Sequence, residues 1–68
     1  MSIRVGTKVS WKTSQGKTHG KVVDRKTKDF TFDGQHFKAS ESEPKFIVES
    51  AKTGARAAHA ESALHPED

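Results

Sequence analysis

Apolar and polar residues alternate cleanly along Lys8-Val9-Ser10-Trp11-Lys12. Val9 and Trp11 share one face and Lys8, Ser10 and Lys12 the other, the pattern of a half-buried strand. Ile3 and Val5 lead into it through Gly6-Thr7, and Thr13-Ser14-Gln15-Gly16-Lys17, small and polar with a glycine, predicts a turn. A second strand is expected from His19 to Lys26, with Val22 and Val23 on opposite faces, so that one of them is less deeply buried. Gly20 inside that strand predicts a bulge or the close approach of another backbone. Thr27-Lys28-Asp29 then turns the chain.

Phe30-Thr31-Phe32-Asp33-Gly34-Gln35-His36-Phe37 carries the strongest local signal. A type I′ turn needs positive φ at both central residues, which Asp and Gly tolerate best. The two-residue loop sets Phe32 opposite Gln35, Thr31 opposite His36 and Phe30 opposite Phe37. Phe30, Phe32 and Phe37 then converge on one side, as the heart of a small β core or as an exposed aromatic site. Lys38 to Pro44 is a polar connection, Lys45 to Ser50 a strand with Phe46 and Val48 on one face and Ile47 on the other, and Ala51 to Gly54 a turn.

Local propensity and pattern conflict over Ala55 to Ala63. Five alanines in nine residues favour helix, and Thr53 is placed to cap one. The preceding strands, however, call for one more strand to close a barrel, because an unpaired edge invites aggregation. We expect a short strand around Arg56 to His59, one helical turn near Glu61 to Ala63, a buried Leu64, and a frayed acidic tail from His65 to Asp68. Five short strands with tight turns predict an all-β fold, a small five-stranded SH3-like barrel.

The chain has 68 residues and reads as one domain, its ordered core running from about residue 3 to 64. A chain this short buries only about 60% of the surface exposed by its unfolded form. Its large apolar residues (Ile3, Val5, Val9, Trp11, Val22, Val23, Phe30, Phe32, Phe37, Phe46, Ile47, Val48 and Leu64) make one compact core and leave no room for a deep catalytic cavity. There is no cysteine, and Met1 to Lys12 holds no apolar core of a signal peptide. A cytoplasmic, soluble monomer without membrane contact is the expectation.

Charge divides the chain. Met1 to Lys28 holds eight lysines and arginines against Asp24 alone, a balance of +7, whereas the remainder balances at −4 within a net charge of +3. Lys8, Lys12, Lys17, Lys21, Arg25, Lys26 and Lys28 are therefore the candidate face for nucleic acid or another polyanion, with ordinary solubilising charge as the plainer reading. Trp11, Phe30 and Phe32 are a candidate aromatic groove for a base, a cation or a peptide, or else simply core. His19, His36, His59 and His65 lack the spacing of a zinc site, and no cysteine could complete one. No nucleophile elbow, phosphate loop or paired carboxylate can be named. The expectation is no enzyme, no metal and no cofactor.

Val5-Gly6, Val9-Ser10-Trp11, Gly16, Gly20-Lys21-Val22-Val23, Thr27-Lys28-Asp29, Ala39-Ser40, Glu43-Pro44, Ala58-His59 and Ser62-Ala63-Leu64 together resemble the bacterial hypervirulence-associated Tudor-like domain family. The resemblance spans about Val5 to Leu64. It implies a Tudor-type SH3-like barrel and supports a strand over Ala55 to Ala60, but it carries no established activity. Tudor domains proper hold methylated lysine or arginine in an aromatic cage; with no tyrosine and one tryptophan in the chain, the resemblance speaks to shape. The reading is a non-enzymatic binding module contacting a polyanion through its basic first hairpin. The alternative is a protein or peptide module using the groove around Trp11 and the Phe30 hairpin.

Overall fold

Period-two alternation forces Val9 and Trp11 inward, and the fold is built on the ladder that follows. The computed structural model describes residues 3–14 and 16–67; Gln15 of the first turn and Asp68 of the tail lie outside the described residues. Strand β1 (Lys8–Thr13) pairs antiparallel with β2 (Gly16–Lys26), and β2 pairs in turn with β5 (Lys45–Ser50). Between them the chain makes a ribbon of β3 (Phe30–Phe32) and β4 (Gln35–Phe37). After β5 come β6 (Arg56–Ala60), a 3₁₀ turn over Glu61–Ala63 and β7 (His65–Pro66).

The hydrophobic core lies on one face of the five-stranded sheet, ordered β6-β5-β2-β1-β7. Ile3, Val9, Trp11, Val22, Phe46, Val48 and Leu64 form it, with Ala57 packed alongside. Each such side chain contributes on the order of 1.5–3 kcal/mol by leaving water, so a handful of them carries the domain. Val22 faces in and Val23 is half-buried, because the β2–β5 register shifts between Val22 and Asp24. Gly20 meets the other expectation for it, a close backbone approach: a Cβ there would run into the Glu49 carbonyl oxygen.

Several expectations need correction. The sheet does not close into a barrel, and the strands number seven rather than five among the described residues. The curl is strong enough to bring Trp11 of β1 and His59 of β6 to 5.8 Å between ring centroids. Yet the 3₁₀ turn carries the chain to the opposite edge, where β7 pairs with β1 and leaves the outer edge of β6 without a partner strand among the described residues. The second strand begins at Gly16, since pairing with β1 extends it through residues with no apolar alternation of their own. His65 and Pro66 are paired rather than frayed, and the Glu67 N–H donates to the Lys8 carbonyl at 2.8 Å.

The Phe30–Phe37 hairpin adopts the expected register, with φ of 53° at Asp33 and 75° at Gly34. It is a satellite, however. Its strands pair only with each other, and its three phenylalanines stay half-buried outside the core cluster. Val5 is also outside the core, 57% exposed, because the chain turns from Arg4 to Thr7 around it.

Candidate polyanion-binding surface

The β1–β2 register decides which cations meet. Lys8 lies opposite Lys21 and Lys12 opposite Lys17, with Ser10 and His19 between them. By alternation all six share one face. Directly opposed residues have Cβ atoms about 4.5–5.5 Å apart, and like charges so placed destabilise a sheet. The acids nearest the Lys8–Lys21 pair have other partners. The Glu67 carboxylate lies 3.5 Å from His19 Nδ1, and Glu49 accepts from Arg56 Nε at 3.2 Å. Among the described residues none of these four lysines has a carboxylate at ion-pair distance.

Arg25, Lys26 and Lys28 do not join them. They sit at or beyond the far end of β2, roughly 26 Å along the strand from Lys17 to Arg25 at its usual rise. Lys26 is engaged there, its Nζ 3.0 Å from Asp24 Oδ2 and 5.8 Å above the Phe30 ring. Hydrogen bonding to Lys26, assisted by the Arg25 N–H at 2.8 Å, holds the Asp24 carboxyl below its usual range against a smaller desolvation effect.

Where the β1–β2 hairpin ends, it faces the turn between β5 and β6 across a cleft of roughly 560 Å³. Trp11 and Ala57 contribute from the core side, Lys17, Lys52 and Arg56 from the rim, and no described lining residue is acidic. Thr13, Ser14, Thr18 and Thr53 also line it. Ser50 organises the turn that presents Lys52: its Oγ accepts from the Lys52 and Thr53 N–H groups at 3.3 and 3.4 Å, and its carbonyl from Gly54 N–H at 2.9 Å. Lys17 and Lys52 beside a concave space with no acidic lining suit a phosphate-type anion, while the Arg56 guanidinium is shared with Glu49. Lys52 and Arg56 escaped the sequence reading because they belong to the net acidic part of the chain. Only the strand order, which sets β5 beside β2 with β6 next to it, brings them beside Lys17.

Trp11, Phe30 and Phe32 do not share a surface. Trp11 is 4% exposed and packs in the core against His59, whereas Phe30 stacks on Phe37 in the ribbon at 5.3 Å. Among the described residues no three metal-binding side chains converge.

His59 is half-buried beside Trp11, and burial pushes its pKa below the ordinary 6.5. The unfolded chain therefore binds that proton more tightly. Stability is full above about pH 6.5 and declines as the pH falls towards the folded-state value. Melting curves from pH 7.5 to 5 should show a loss that is smaller in His59→Gln; equal losses in both proteins would refute this assignment.

A family model described as hypervirulence associated proteins TUDOR domain matches residues 6–64. No curated protein and no solved structure matches the chain.

Proposed function

We propose, from the premise that the chain belongs to the hypervirulence-associated TUDOR-domain family, that this binding module is non-enzymatic and takes a polyanion, foremost nucleic acid. The observation that carries the reading is the pair of lysine–lysine juxtapositions stacked on one hairpin, Lys8 with Lys21 and Lys12 with Lys17. A phosphate backbone laid along that face turns mutual repulsion into attraction, and the cleft rimmed by Lys17, Lys52 and Arg56 extends the same potential. Contacts of this kind fix position without reading base sequence.

Fluorescence anisotropy with a mixed-sequence single-stranded oligonucleotide tests the reading across a salt series. With four lysines engaged, log affinity should fall against log salt with a slope of roughly −3. Affinity indifferent to salt, or no binding at low salt, would overturn it. A peptide partner would instead use the aromatic ribbon, where Phe30 and Phe37 stack, and its affinity would vary little with salt.

A further inference from the structure

The β5–β6 ladder determines which way each backbone group of β6 points. The Ser50 N–H donates to the Ala55 carbonyl at 2.8 Å. In the observed register, Ala57 and His59 therefore turn their N–H and C=O groups towards β5, on the same side as the Ala55 carbonyl. Alternation sends those of Arg56, Ala58 and Ala60 outward, where β6 is the edge of the sheet. Among the described residues these outward groups have no hydrogen-bond partner.

The two edges are protected unequally. β7 is two residues long and ends on Pro66, which has no N–H to offer. β6 is five residues long, with no proline, lysine or bulge, and three of the five are alanine. An edge left so open in a soluble domain calls for a partner.

We propose that two copies of this chain pair through β6, antiparallel about a two-fold axis at Ala58. Ala58 then lies opposite its own counterpart and Arg56 opposite Ala60 of the other copy. All three outward residues of each strand exchange both backbone hydrogen bonds, and the two five-stranded sheets become continuous. The only charged side chain on the strand, Arg56, is held by its own Glu49 at 3.2 Å and would face an alanine, so pairing opposes no like charges. Alanines permit close approach and offer no side-chain pockets by which a foreign extended peptide would be selected. The same pairing covers Ala57 and His59, which stay half-buried where the curled sheet fails to close. It also replaces the monomer expected from the sequence.

Sedimentation equilibrium on the full chain, from low to high micromolar concentration, tests the proposal. The expected mass rises towards twice 7.5 kDa. Ala58→Pro removes the central outward N–H without touching a bond to β5, and Ala58→Lys sets two ammonium groups face to face across the axis. Each variant should stay at monomer mass while keeping the strand signature in far-ultraviolet circular dichroism. If Ala58→Pro fails to fold, Ala58→Lys decides alone. A wild-type chain of monomer mass at every concentration, or a folded variant that dimerises like the wild type, overturns the proposal.

Discussion

Gly20→Ala is expected to cost about 3 kcal/mol or more, the upper range for overpacking a close-packed position. Gly20 lies in the middle of the sheet, opposite Val9 on one side and Ser50 on the other. A Cβ there would be driven into the Glu49 carbonyl oxygen and would come within 3.1 Å of Ser50 Cα. Both are backbone atoms, so no side chain can swing aside, and relief requires β2 and β5 to separate. That separation breaks the ladder supporting Val22 and Val48 in the core. A domain of this length holds only about 3–10 kcal/mol in total, so the melting temperature should drop by roughly 12 °C or more. A melting temperature within a degree or two of the wild type would show that the strands do not approach as described.

Lys12→Glu combined with Lys21→Glu should remove polyanion binding while leaving the fold intact. The register turns both lysine–lysine juxtapositions into opposite-charge pairs, Lys8 with residue 21 and Lys17 with residue 12, while residue 21 also comes to oppose Glu49 on β5, so gains and losses in the sheet offset. Each such cross-strand pair is worth about 0.2–1 kcal/mol. Binding loses two phosphate contacts and gains two repulsive groups, a fall of at least a hundredfold at about 1.5 kcal/mol per charged contact, with a salt slope shallower by about two. A melting temperature near that of the wild type beside the lost binding separates loss of a surface from loss of structure. Affinity unchanged in the double variant would remove the hairpin from the binding surface.

What could be read from the sequence was local. Asp33-Gly34 specifies its turn by backbone chemistry within two residues, and the ribbon register follows from it. Lys45–Ser50 shows itself by alternation, and Arg56–Ala60 forms a strand against alanine propensity because β5 supplies a ladder to pair with. What remained hidden depends on partners far along the chain. Nothing in Gly16-Lys17-Thr18 marks a strand until β1 lies beside it, and nothing in His65-Pro66 marks one until β1 presents its other edge. The three phenylalanines of the ribbon look like core because convergence can be inferred locally, whereas packing against the main sheet cannot. The cleft is the extreme case, since Lys17, Lys52 and Arg56 meet only through the strand order.

The most direct test of polyanion binding is an amide chemical-shift titration with a mixed-sequence single-stranded oligonucleotide, at low and near-physiological salt. Shifts should gather on Lys8 to Lys21 and on Lys52 to Arg56 and fade as salt rises. Shifts confined to the Phe30–Phe37 ribbon, or none at low salt, would contradict the account.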